Sequence, residues 1–192
     1  MYIPEYFRLT DQKIITEIIA HNPLATIILT NQGKEYIDHL PLLFLPAENK
    51  LIGHMAKKNP LAMQIESINK VTTLFHGPHC YISPFFYPDP ENNVPSWNYA
   101  AVHIYGEIKK IDNENNLKIL KLMLDHFEPK QTASEIKIKS LINHIVSFEI
   151  DIVAIDAKLK ISQNKSREDQ ISLIENLEKT NKENERAIAR LM

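Results

Sequence analysis

The sequence predicts a mainly β, α+β domain: a small antiparallel barrel with helices kept to its periphery and to one insertion. Three observations carry that expectation. Short extended runs, about six of them, alternate apolar and polar residues at the period of a half-buried strand. Helical spacing is confined to a few stretches, without the regular exchange of strand and long helix that marks a parallel sheet. Glycine is scarce, 4 in 192 residues, and no glycine-rich phosphate loop of the Rossmann or P-loop kind occurs.

The chain opens on an amphipathic helix, with Ile14, Ile15, Ile18 and Ile19 at helical spacing behind a cap at Thr10 or Asp11. A β-branched run over 24–30 ends at Asn31-Gln32-Gly33, and an extended pattern resumes over 36–45, so the pair reads as a hairpin. A short strand follows over 51–54. The next helix, 60–68, starts well, because Asn59 is a good cap and Pro60 suits the first helical position. Residues 70–75 read as a strand that Gly77-Pro78 breaks. Tyr81-Ile82-Ser83 begins another extended piece, which Pro84, Pro88, Pro90 and Pro95 turn into a loop. The longest strand covers 98–111, with Ala101, His103 and Tyr105 on one face and Ala100, Val102 and Ile104 on the other. Helices over 114–127 and 135–145 lie either side of Pro129. Val146, Phe148, Ile150 and Ile152 then open a last strand that reaches 157. From Ser166 the tail is polar and helical. Ser166 and Asp169 make a capping-box-like start, and Ile171, Ile174 and Leu177 form a narrow apolar stripe.

At 44 % hydrophobic and 24 % charged residues the chain has the balance of a globular protein with a core. No apolar run approaches the roughly 20 residues of a membrane span. The opening Met1-Tyr2-Ile3-Pro4-Glu5 lacks the basic-then-apolar pattern of a secretion signal, so a cytoplasmic protein with no membrane segment is expected. The single cysteine, Cys80, has no partner for an internal disulfide. A formal charge of −2 is the wrong sign for a dedicated nucleic-acid binder.

Polar residues and prolines crowd into four stretches, which hold the candidate chemistry: 38–41, 53–60, 75–87 and 94–106. In the second, Lys57 and Lys58 precede the Asn59–Pro60 helix start, an arrangement that attracts a phosphate group. The same spacing also describes a capped surface helix with two solvated lysines. Tyr81, Phe85, Phe86, Tyr87, Trp97 and Tyr99 read either as walls of a pocket for a flat ring or as cover for a barrel end. His76-Gly77-Pro78-His79-Cys80 contains good zinc ligands, yet no local motif meets the ligand count, and no metal is expected. Cys80 as a nucleophile would need a base and an orienting group that the sequence does not place.

Several motifs together resemble the PaiB family, described as FMN-binding negative transcriptional regulators. They are Met1-Tyr2-Ile3-Pro4 with Phe7, His39-Leu40-Pro41-Leu42, Gly53-His54-Met55-Ala56 followed by Asn59-Pro60, and Phe75 with Gly77-Pro78-His79. Further along come Tyr81-Ile82-Ser83-Pro84, Val94-Pro95 with Trp97-Asn98-Tyr99, His103 with Tyr105-Gly106, and Lys160 with Ser162-Gln163-Asn164-Lys165-Ser166. The match keeps the motif order over nearly the whole chain. It departs at Lys57 for arginine, Ser96 for threonine, and Phe85-Phe86 for a small residue and tryptophan.

The resemblance implies an FMN-binding split β-barrel, similar to pyridoxamine-phosphate oxidases, that forms a homodimer with flavins at the subunit interface. On that analogy residues 1–160 make the split-barrel domain and 161–192 a C-terminal segment with a polar helix. The FMN phosphate would lie near Lys57, Lys58 and Asn59. His39, Leu40 and Leu42 would offer backbone groups to the ring edge, with His54 and Met55 beside them, and Trp97 and Asn98 would approach from the second subunit. Three functions fit such a chain: a regulator acting with or through bound FMN, a flavin-dependent oxidoreductase on a small substrate, or a haem-handling split barrel. Direct DNA binding is not expected, since the C-terminal segment mixes Glu175, Glu178, Glu183 and Glu185 with Lys179, Lys182, Arg186 and Arg190. The exception would be a local patch, if Lys137, Lys139, Lys158, Lys160 and Lys165 gather in space.

Overall fold

A computed structural model describes residues 1–112, 114–130 and 135–192. Six strands close a barrel in the order β1-β2-β3-β6-β5-β4: β1 Leu24–Asn31, β2 Lys34–Leu45, β3 Lys50–Ala56, β4 Lys70–Ile82, β5 Ser96–Lys110 and β6 Ile145–Lys160. The helices are α1 Gln12–His21, α2 Pro60–Gln64, α3 Asn116–Phe127, α4 Glu135–Ile142, α5 Arg167–Glu178 and α6 Glu183–Leu191. The chain divides into two compact units. The first holds Met1–Ile18, His76–Val102 and Asp156–Met192, and the second Ile19–Phe75 and His103–Ile155.

In the second unit the expected hairpin forms: Asn31 pairs with Lys34 across Gln32 (φ 48°) and Gly33 (φ 78°). Both turn residues are left-handed, the geometry that lets a two-residue turn follow the twist of its strands, and glycine adopts it without a Cβ penalty. Period-two alternation then decides which side chains go inside. Ala25, Ile27 and Leu29 of β1 are buried, as are Leu42, Leu51, Met55, Phe148 and Ile150. Each large aliphatic residue buried this way contributes about 1.5–3 kcal/mol. A smaller cluster of Leu43, Ile52 and Met123 lies where α3 covers the outer side of β2 and β3.

The first unit has its own cluster: Cys80, Ile82 and Tyr87 pack with Leu173, Leu177, Ile188 and Ala189. The polar tail is therefore two helices rather than one, folded against a strand and contributing core residues. One of the three residues of the expected stripe is corrected. Leu173 is buried in place of Ile171, which stays exposed, because contact with Cys80 and Tyr87 selects the face.

The break expected at Gly77-Pro78 is not a strand end, because β4 runs through it. What changes there is the side that is buried: Val71, Thr73, Phe75 and Gly77 first, then Cys80 and Ile82. Proline keeps an extended φ, and a Cβ on Gly77 would lie 2.8 Å from the Ala100 Cβ, so glycine permits the close approach. β6 shifts in the same way, from Ile152 and its even-numbered predecessors to Ala157 and Leu159, and reaches Lys160 instead of 157. α2 is shorter than expected. It ends at Gln64, whose carbonyl accepts from both Ser67 N and Ile68 N as the chain turns.

Candidate functional site

The second unit opens where two neighbouring strands part. β2 pairs with β3 from Leu42–Gly53 to Leu45–Lys50. Before Leu42, β2 pairs with β1, while β3 continues alongside β6 as far as Ala56. The edge of β2 at Asp38–Pro41 that faces away from β1 thus has no strand partner, nor does the edge of β3 at His54–Ala56 that faces away from β6. Side chains stitch this opening together. Asn59 caps α2 by accepting from Leu61 N at 3.0 Å, and its amide donates to the Asp38 carboxylate. The other Asp38 oxygen accepts the His39 backbone N–H at 2.7 Å, and the His39 ring Nδ1 lies 3.0 Å from the Thr26 hydroxyl across the strand pair.

Of the residues expected at a flavin, the structure brings His39 and Asn59 together through Asp38. Leu40 is half-buried beside them. Leu42 and Met55 turn into the core, so their side chains pack rather than face a ligand, and the Leu42 N–H is donated to the Pro23 carbonyl at 2.9 Å. His54 sits under α3 with Nδ1 3.3 Å from the Met123 sulfur, and burial pushes its ring below the usual histidine range. Lys57 hydrogen-bonds the Asn143 carbonyl at 3.2 Å. Lys58 is exposed and has no partner among the described residues. With only five residues, α2 has a weak dipole, so these two lysines supply most of the positive charge at its start.

Trp97 and Asn98 belong to the first unit. Asn98 is fully buried, exchanging hydrogen bonds with Ser162 Oγ at 3.0 and 3.2 Å, while the Tyr87 hydroxyl stands 3.5 Å from the same oxygen. Its amide is spent on this internal lock. Trp97 is exposed, with Tyr81 edge-on at 6.0 Å and His79 at 6.4 Å. The aromatic set divides accordingly: Tyr81 and Trp97 form a surface group, Phe86 and Tyr87 join the core with α5 and α6, and Phe85 stands free. Cys80 is buried and its thiol is pushed up to about 11, first by burial and then by Glu185. It is a protonated core residue at neutral pH, facing away from the exposed His76 and His79.

Sequence reasoning did not foresee the part played by Asp38 and Ser162. Ser162 adopts φ 61°, a conformation unusual for serine, and a run such as Lys160-Ile161-Ser162 gives no sign of it.

The family model described as "Putative FMN-binding domain" matches residues 1–154. The chain is also 35 % identical, over all of its length and 96 % of the relative's, to the Bacillus subtilis "Protease synthase and sporulation protein PAI 2". It belongs to the PaiB family of FMN-binding domains. Solved structures of similar fold include a FAD and heme binding protein from Mycobacterium smegmatis, with TM-score 0.65 and 13 % identity over 86 % of this chain and 78 % of that one. The flavocytochrome Anf3 from Azotobacter vinelandii aligns with TM-score 0.64 and 14 % identity, over 88 % and 78 %. FMN is the cofactor of this PaiB-family chain. The second unit's donor set fits that group, since strand edges without a strand partner suit the hydrogen-bonding edge of a flat ring and unpartnered Lys58 suits a phosphate.

Proposed function

We propose that this PaiB-family chain is a homodimeric cytoplasmic regulator of gene expression, acting with or through bound FMN and without gripping DNA itself. The observation that carries the regulatory part is the full-length identity to a protein named for protease synthesis and sporulation. The second copy is supported by large apolar side chains left in solvent on the second unit, Leu24, Ile37 and Val153 among them, which a partner would cover. Indirect action is supported by the C-terminal helices. Their apolar faces are used in the core, and Arg186 and Arg190 are both paired with Glu183, at 3.0 and 3.1 Å. No helix of the described residues is long and apolar enough to cross a membrane.

In this reading Lys58 and Lys57 hold the FMN phosphate beside the Asn59 cap, and the parted edges of β2 and β3 receive the ring. FMN supplies the redox-active ring; the chain's share is to bind it, orient it and exclude water. Asp38 is a positioning residue, because it ties the His39 segment to the start of α2. An absorbance spectrum of the purified protein, from about 300 to 600 nm, should show bound flavin. Titration should then give tighter binding of FMN than of riboflavin, with Lys57→Ala and Lys58→Ala together removing most of the difference. Equal affinities for the two flavins in the parent protein would remove this phosphate site. A submicromolar complex with promoter DNA that resists competitor would overturn indirect action.

A further inference from the structure

A group of three lysines in the first unit pairs with no acid among the described residues. Lys158 and Lys160 stand two residues apart near the end of β6, and Lys165 follows in the turn beyond. Lys158 is only 9 % exposed. Its ammonium lies 5.2 Å from the Tyr99 ring centre and 5.9 Å from that of Tyr2, and it reaches the Tyr2 carbonyl at 3.4 Å. Lys160 donates to Ser96 Oγ at 2.6 Å and to the Trp97 carbonyl at 2.5 Å, and lies 5.8 Å from the Phe7 ring. Lys165 donates to the Asn93 side chain at 2.7 Å and lies 5.3 Å from the Tyr87 ring. Every acceptor in this set is neutral, and no carboxylate among the described residues pairs with any of the three. Asp156, on the same strand, gives its carboxylate to the Met1 ammonium at 2.9 Å.

Gathering like charges in partly desolvated surroundings is unfavourable unless an opposite charge completes the group. Lys160 records the effect: its ammonium is held below the ordinary lysine range first by burial, then by Lys158 and Lys165. Cation–π contacts offset only part of such a penalty. Each ammonium also has three N–H donors, of which these contacts use one or two, so donors remain for an oxyanion. The support beneath is rigid, because the Ser162–Asn98 lock fixes the turn between Lys160 and Lys165. We propose that Lys158, Lys160 and Lys165 form a binding site for the dianionic phosphate of a phosphorylated ligand. The site goes beyond the reading that places the FMN phosphate at Lys57 and Lys58, and stands on separate residues.

Trp97, the chain's one tryptophan, reports on the site, because Lys160 holds its carbonyl. Flavin-free protein titrated with inorganic phosphate at constant ionic strength should show a saturable change in Trp97 emission that chloride does not produce. Lys158→Met and Lys165→Ala should each weaken that response about tenfold. Lys165 is only half-buried in a turn, so its variant gives an answer even if loss of Lys158 disturbs folding. Repeating the titration with FMN bound identifies the source of the phosphate. A response that persists means a separate phosphorylated ligand. A response that FMN abolishes, with Lys165→Ala removing the preference for FMN over riboflavin, means the phosphate is the flavin's own; either outcome supports the site. Absence of a saturable response, an equal response to chloride, or both variants titrating like the parent overturns it.

Discussion

Strand β6 carries charged residues in two contrasting settings. Toward its start, Glu149 and Asp151 meet lysines of neighbouring strands: Lys50 lies 3.0 Å from Glu149 and 3.5 Å from Asp151, and Lys109 reaches Asp151 at 2.5 Å. Signs alternate, and each charge improves its neighbour. The hydrogen bond from Lys109 holds the Asp151 carboxyl below the usual range, and the bond to Asp151 raises Lys109. At its end, Lys158 and Lys160 meet aromatic rings, carbonyls and a hydroxyl, with Lys165 close by. One group of charges is complete in the folded chain, and the other has its balance left to a ligand. Lysines take part in both; the neighbours decide.

Added phosphate should separate the two settings most clearly. At about a hundred times its dissociation constant, an anion bound only by the folded state adds about 2.7 kcal/mol, which for a chain of this size raises Tm by roughly 5–10 °C. Chloride at matched ionic strength should give none of that rise, and a thermal melt in which both salts act alike would erase the distinction. Substitution should come next in size. Without ligand, Lys158→Met should leave Tm unchanged or slightly higher, since a buried cation without an acid is replaced by an apolar side chain of similar length, while Asp151→Asn should lower it by about 1–3 °C. A loss of stability in Lys158→Met as large as that in Asp151→Asn would show the lysine cluster to be a complete structural element.

The smallest effect is in alkaline pH, where the two settings should respond with opposite sign. Lys50 and Lys109 are raised above 10.5, Lys50 by its hydrogen bond to Glu149 and Lys109 by that to Asp151. Their stabilisation is present below 10.5 and is lost as pH rises through the higher folded values. Lys160 is lowered from 10.5, so the unfolded chain binds its proton more readily, and stability recovers as pH rises from the depressed folded value toward 10.5. Lys160→Met should therefore steepen the alkaline loss seen in denaturant melts, and Lys109→Met should flatten it. Identical slopes would mean that the two settings are electrostatically alike.

Local signals in the sequence were reliable guides. Asn59-Pro60 starts α2 with the expected cap bond, Ser166 caps α5 by accepting from Asp169 N at 3.1 Å, and the Gln32-Gly33 turn forms its hairpin. The candidate site was half legible. His39 and Asn59 could be singled out by motif, but Asp38, which joins them, became visible only when β2 and α2 met. Asn98 belongs to the same motif as Trp97, yet the two have different surroundings, one locked inside on Ser162 and the other exposed beside Tyr81.

By itself the sequence determined the kinds of element, their order, the turn chemistry and the family, because each depends on residues a few positions apart or on motif order. Tertiary structure alone decided the side that β4 and β6 present after their shifts, and the burial of Cys80 and Tyr87 under α5 and α6. It also decided where the charges settled. Of the lysines suspected of gathering, Lys158, Lys160 and Lys165 lie together, facing Ser96, Trp97 and Asn93 from far earlier in the chain, while the side chain of Lys137 lies outside the described residues. Whether a charge finds a counterion depends on what packing brings within a few ångströms of it, and a linear pattern carries no record of that distance.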